Sequence, residues 1–188
     1  LMALRAIPQF TDFRPADANE VVEAWRVIMQ FKDRPVCLVL TRQALATLDR
    51  TRYAPASGGA RGAYVLADAP NGKPDLVLIA SGSEVGLIVA AAETLRAQGL
   101  QVRLVSMPSW ELFDAQPQDY RDSVLPPALT ARLAVEAGAT QGWRRHVGDR
   151  GDVLGIDRFG ASAPGDVLLR EYGFTVDNVC KRAAALMR

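Results

Sequence analysis

The chain of 188 residues has one histidine, His146, and two cysteines, Cys37 and Cys180, and each scarcity closes off chemistry. A lone histidine cannot build an HExxH zinc helix or a multi-histidine metal centre. A serine-histidine-aspartate triad would have to pass through His146, in the stretch Trp143-Arg144-Arg145-His146-Val147-Gly148. A partly exposed loop histidine is favoured there over a catalytic base. No CxxC pair occurs, and Cys37 lies within an apolar run, where an inert, buried thiol is expected. A reducing, cytoplasmic location fits that cysteine usage. Charge of one sign is also missing: 22 basic residues face 21 acidic ones, for a net charge of +1. Without a basic stripe there is no electrostatic footprint for nucleic acid. No apolar run reaches the roughly 20 residues that span a bilayer. The amino terminus lacks the order of a signal peptide. It begins at Leu1 within what reads as an element, so a piece of a longer chain is expected.

The most informative stretch is the apolar run Val36-Cys37-Leu38-Val39-Leu40, which stops at Thr41-Arg42-Gln43. Such a run reads as a strand buried on both faces of a parallel sheet. In open α/β sheets, ligands gather beyond the carboxyl ends of the strands. Arg42, always charged and forked, is therefore the candidate contact for a phosphate or carboxylate. A structural ion pair is its competing role.

Around that run the chain alternates strands and helices. Residues 14–31 read as a loop and a helix, with Asp17 as N-cap and Glu20 completing a capping-box-like pair. Val21, Val22, Trp25, Ile28 and Met29 recur at helical spacing and define one apolar face. Residues 45–62 lose periodicity and carry charge, Pro55 and Gly58-Gly59, so an interdomain linker with its boundary near Gly58 is expected. Strands follow at 63–67, 75–80, 101–106, 130–136 and 152–156, and helices at 84–98, 165–172 and 175–187, with a partly helical region over 108–126. Strands alternating with helices imply an α/β fold: a mixed, mainly parallel sheet with helices on both faces, preceded by a partial α/β segment.

Three further motifs are weaker. Ser81-Gly82-Ser83-Glu84-Val85-Gly86 joins a strand to a helix N-terminus, where an anion could sit, but it lacks the spacing of a nucleotide loop. A tight turn with Ser83 as N-cap is preferred. Gly160-Ala161-Ser162-Ala163-Pro164-Gly165 has the wrong spacing for a nucleophile elbow. It reads as a helix start, with Ser162 capping and Pro164 in the first turn. Asp114, Asp119, Asp122 and Glu136 show no metal or acid/base spacing, and solvated faces or caps account for them.

A family likeness runs in order along nearly the whole chain. It is carried by Leu40-Thr41-Arg42-Gln43, Gly62-Ala63-Tyr64-Val65-Leu66, Ala80-Ser81-Gly82-Ser83-Glu84-Val85 and Val105-Ser106-Met107-Pro108-Ser109. Tyr120-Arg121-Asp122-Ser123-Val124-Leu125-Pro126, Val135-Glu136-Ala137-Gly138, Phe159-Gly160-Ala161-Ser162-Ala163-Pro164 and Gly173-Phe174-Thr175-Val176-Asp177-Asn178-Val179 continue it. Together these stretches resemble transketolase. The resemblance implies that residues 1–58 are the end of the pyrimidine-binding middle domain with its linker. Residues 59–188 then correspond to the C-terminal domain. Transketolases move a two-carbon ketol unit from a ketose phosphate to an aldose phosphate, in the pentose phosphate pathway, as homodimers with active sites between subunits. They use thiamine diphosphate and a divalent cation, magnesium or calcium.

The arginine of the family's Ser-Arg-Gln motif, which contacts the substrate phosphate, falls on Arg42, and Thr41 replaces the commoner serine. The family's metal-binding motif, activating glutamate and substrate histidines would precede Leu1. No catalytic, cofactor-binding or metal-binding residue is therefore expected here, and the isolated chain should bind no thiamine diphosphate and be inactive. Two other classes remain open. One is a non-catalytic assembly or effector-binding module, the other a flavodoxin-like nucleotide module using residues 81–86. Among thiamine enzymes, deoxyxylulose-phosphate synthase and dehydrogenase E1 subunits share the architecture but match these motifs less well.

Overall fold

A computed structural model describes residues 1–187. In chain order the elements are α1 (Met2–Arg5), β1 (Thr11–Phe13), α2 (Ala18–Ile28), β2 (Val36–Leu38), a 3₁₀ helix (Ala56–Arg61), β3 (Tyr64–Ala67), β4 (Leu76–Ala80) and α3 (Glu84–Ala97). They continue with β5 (Val102–Ser106), α4 (Trp110–Asp114), α5 (Gln118–Val124), β6 (Arg132–Val135), α6 (Arg144–Val147), β7 (Asp152–Leu154), α7 (Gly165–Glu171) and α8 (Val176–Ala185).

Five strands form one sheet in the order β3-β5-β4-β6-β7, parallel except for β3, which runs antiparallel along β5 at the edge. Because side chains alternate across a strand, the two faces can be read off β4. Leu76, Leu78 and Ala80 join α3 and α8 in one core, while Val77 and Ile79 join Trp110 and Phe113 of α4, Val124 of α5 and Val147 of α6 in the other. Both faces are covered, so all five residues of β4 are buried. This is the mixed, mainly parallel sheet with helices on both sides that the alternation implied. Gly99, at φ +92, lets the chain leave α3 and enter β5.

The segment before residue 59 departs from expectation. The run over residues 36–42 is a strand only at Val36–Leu38, half-buried rather than buried on both faces, and Leu40 is 58% exposed. Cys37 is likewise half-buried, and both cysteines are free thiols. The reason is topological: β2 pairs with β1 alone, so its other edge stays unpaired. The α2 start is as expected, with Asp17 Oδ1 accepting from the Glu20 N–H at 2.9 Å. Glu20 reaches back one residue further than a capping box, accepting from the Ala16 N–H at 2.8 Å. The apolar face of α2 is inverted relative to expectation. Val22, Trp25 and Met29 are exposed, while Glu20 and Ala24 are buried.

Local starts also needed correction. Ser83 precedes α3 but makes no capping bond: its backbone is helical (φ −57, ψ −26) rather than extended, and its hydroxyl accepts from Arg14 and donates to Glu84. Pro164, not Ser162, occupies the N-cap of α7, and Ser162 is exposed. Thr175 does cap α8, accepting from the Asn178 N–H at 3.2 Å. No helix among the described residues is long and apolar enough to cross a membrane.

Candidate functional site

The carboxyl ends of β4, β6 and β7 face the loop after β2 across a cleft of about 690 Å³. Gly82, Ser83 and Glu84 supply one side, Thr41 and Gln43 another, and Leu168, Leu169 and Tyr172 a third. The loop is shaped locally: the Thr41 hydroxyl accepts from the Gln43 N–H at 3.3 Å and donates to Gln43 Oε1 at 3.0 Å. Thr41 and Gln43 thus turn into the cleft, whereas Arg42 between them is exposed and does not line it. Arg42 has no carboxylate within salt-bridge reach among the described residues, so the competing ion-pair role has no partner here.

The turn at residues 81–84 is already occupied. Arg14, just after β1, lays its guanidinium over it, 2.6 Å from Glu84 Oε2, and donates to the Ser81 carbonyl at 2.5 Å and the Ser81 hydroxyl at 3.1 Å. Gly82, at φ +57, has no room for a Cβ beneath that side chain. The Glu84 carboxylate also accepts from the Ala137 N–H at 2.9 Å. With an anion of its own at the helix start, this turn is a poor phosphate cradle.

Behind the cleft runs a buried belt of charge. Glu136 accepts both Arg5 Nη1 and Nη2, at 2.7 and 2.9 Å, the Ser81 hydroxyl at 2.6 Å and the Trp143 indole N–H at 3.2 Å. It is 1% exposed, which overturns its assignment to a solvated face or cap. Burial pushes its carboxyl up, but the Arg5 bonds and charge, with Ser81 and Arg14, hold it below the ordinary range. Glu20 accepts from the Tyr64 and Ser106 hydroxyls, at 2.8 and 2.7 Å. Lacking a direct cation, it is raised by burial. Arg50 clamps Asp17 at 3.0 and 2.8 Å and reaches the Tyr64 hydroxyl at 3.0 Å. Asp12, fully buried, binds Arg5 Nε at 3.2 Å, and its backbone N–H donates to Glu111 at 3.3 Å. Burial and the Asp12 charge push Glu111 up to about 7.

His146 is neither a loop residue nor partly exposed. It lies in α6 at 3% exposure, edge-on to Trp110 at 4.9 Å and Trp143 at 5.9 Å. Burial and then the charges of Arg145, Arg5 and Arg132 pull its pKa down to about 3. The loop reading failed because the aromatics that enclose it are Trp110 and Phe113 of α4 together with Trp143 just before α6. Among the described residues no group of three histidine, cysteine, aspartate or glutamate side chains could hold a metal ion.

A family model of the transketolase-like C-terminal domain matches residues 62–175, and one of the transketolase pyrimidine-binding domain matches residues 1–47. The chain belongs to the transketolase family. It is 56% identical over 187 residues to a transketolase of Geobacillus stearothermophilus and 49% identical to one of Bacillus subtilis. Each match takes in 100% of this chain and 28% of the relative, so the chain spans little more than a quarter of their length. The solved transketolase of Leishmania mexicana superimposes with a TM-score of 0.88 at 39% identity, over 99% of this chain and 26% of that one. A transketolase of Pichia stipitis in complex with sedoheptulose-7-phosphate does so with the same score and coverage at 34% identity.

In this transketolase-family chain the sequence pointed to Arg42 but not to the belt. Arg5 and Glu136 are 131 residues apart, and Glu20 and Ser106 are 86 apart. Neither spacing carries a local signal. The one available hint was Glu136 itself, an acidic residue directly after a buried strand.

Proposed function

We propose that this chain is the carboxyl-terminal portion of a transketolase that transfers a two-carbon ketol unit between sugar phosphates with thiamine diphosphate and a divalent cation. The observation that carries the reading is the match along the whole chain to transketolases at up to 56% identity. In this reading residues 1–58 close the pyrimidine-binding domain and residues 59–188 form the C-terminal domain. Arg42 holds the phosphate of the sugar. Its support is its place at the carboxyl end of a strand, exposed and without a carboxylate partner, on the loop whose neighbours Thr41 and Gln43 line the cleft. The exposed Val22, Trp25 and Met29 of α2 support a homodimer, and the cysteine usage supports a cytoplasmic setting.

The side chains present do not fit the cofactor. No cluster of cation donors converges among the described residues, and Glu20, Glu84 and Glu136 already accept from hydroxyl, backbone or guanidinium donors. The diphosphate and cation are assigned to other parts of the full-length enzyme, and this chain alone is inactive. What its residues contribute is position: the belt fixes α1, β1 and α2 against the sheet, and Arg42 orients the sugar by its phosphate.

Two measurements test this. In the full-length enzyme, Arg42→Ala should raise the KM for phosphorylated sugars about tenfold or more, as a charge-assisted bond is worth roughly 1.5–3 kcal/mol. An equal loss toward unphosphorylated acceptors would remove the phosphate role. Calorimetric titration of the 188-residue chain with thiamine diphosphate and magnesium should give no saturable isotherm, and a saturable one would contradict the assignment.

A further inference from the structure

At the other end of the sheet, beyond the first residue of β6, a second pocket of about 360 Å³ is lined by α4, α5 and α6. Arg121, Arg132 and Arg145 contribute guanidiniums to its wall, Asp114 and Asp122 contribute carboxylates, and the His146 ring completes it. The charges do not cancel by contact. Arg145 pairs with Asp114 at 3.3 Å. Arg121 and Arg132, both partly buried, have no carboxylate within salt-bridge reach among the described residues; Asp114 acts on Arg121, and Asp122 on Arg132, only at longer range.

The two guanidiniums without a carboxylate in contact are nevertheless held in place. Arg132 donates to the carbonyls of Leu129, His146, Leu125 and Pro126, at 2.8, 2.7, 3.1 and 2.8 Å. Arg121 donates to the Asp114 carbonyl at 3.2 Å and to Gln118 Oε1 at 2.5 Å. Its Nε, and Nε2 of His146, are buried without any partner. Withdrawing cations from water without a counter-charge is costly, and an anion between them relieves that cost. A guanidinium fork matches the oxygens of a phosphate. A dianion answers two guanidinium charges that no carboxylate touches, whereas a single carboxylate answers one.

The geometry points to a phosphate-binding site in this pocket, separate from the Arg42 loop, taking either inorganic phosphate or the phosphate of a small hydroxylated metabolite. The pocket is larger than a phosphate ion, and the Asp114 and Asp122 oxygens on its wall suit the hydroxyls of such a carrier.

The test titrates the chain, at constant ionic strength, with inorganic phosphate, glycerol 2-phosphate and acetate, reading the imidazole resonances of His146. Saturable shifts with the two phosphates and a weak response to acetate are expected. Tighter binding of the ester assigns the site to a metabolite, and equal binding assigns it to free phosphate. Arg121→Gln and Arg145→Gln should each weaken binding about tenfold, the loss expected for one charge-assisted bond. Circular dichroism confirms that they fold. Arg132 is left intact because it ties four carbonyls. Arg42→Ala should change nothing, which separates this site from the sugar-phosphate role proposed above. A non-saturable response, acetate binding as tightly as phosphate, or unchanged affinity in Arg121→Gln would each overturn the assignment.

Discussion

Two apolar runs of similar composition meet opposite fates. Leu76–Ala80 is fully buried in the centre of the sheet, and its carboxyl end leads into Ser81, tied to Arg14 and Glu136. The run beginning at Val36 forms only three residues of strand, half-buried, and its carboxyl end leads into exposed Arg42. Local character is nearly the same, so the difference lies in neighbours. β4 has β5 and β6 beside it and helices above and below, whereas β2 has β1. Hydrophobic runs supply the means for burial, and the surrounding elements decide whether it happens.

The contrast can be broken most forcefully at the strand ends. Glu136→Ala leaves Arg5 buried without its bidentate partner, a loss of about 3–5 kcal/mol. Arg42→Ala, by contrast, should change stability by no more than about 0.5 kcal/mol. Urea unfolding of both variants checks this, and similar costs would mean that Arg42 is also structural. Within the strands, Leu78→Ala opens a cavity at a fully buried position, at about 2–5 kcal/mol. Leu38→Ala should cost only about 1 kcal/mol, since its side chain is only half-buried. Equal midpoint shifts would show that β2 is better covered in solution than its pairing indicates.

The remaining contrast is in pH. Glu111 is raised from 4.5 to about 7 by burial and then by Asp12, so the folded chain holds a proton that the unfolded chain releases. Its contribution is fully present below about pH 4.5 and lost as pH rises through about 7. Glu136, with its carboxyl held low, works oppositely, its contribution being lost on acidification. Glu111→Gln should therefore flatten the decline in stability between pH 4.5 and 7. Stability curves of wild type and variant that run parallel across that window would show that Glu111 titrates normally.

Much of the fold was legible because its signals are local. Asp17 and Thr175 cap their helices, Gly99 ends α3, and the runs that became β4 and β5 lie within a residue of where alternation put them. Errors fell where a distant group intervened. Ser83, whose hydroxyl accepts from Arg14, makes no cap, and His146 is enclosed by Trp110 of α4 and Trp143 just before α6. The candidate site divides in the same way. Arg42 is proposed because it follows an apolar run and sits in a family motif, while Arg121 and Arg132 stand out only by the carboxylates they fail to touch.

By itself the sequence determined the α/β alternation, the family and the identity of the arginine after the first apolar run. Those depend on side-chain periodicity, turn chemistry and ordered motifs within short stretches. Tertiary structure alone decided that Glu136 is the buried partner of Arg5, that the apolar face of α2 is uncovered, and that the guanidiniums of Arg121 and Arg132 share a pocket with no carboxylate in salt-bridge reach of either. The physical reason is that burial and charge pairing are properties of groups brought together from far along the chain. Desolvation gives those pairings their strength, and no local spacing records it.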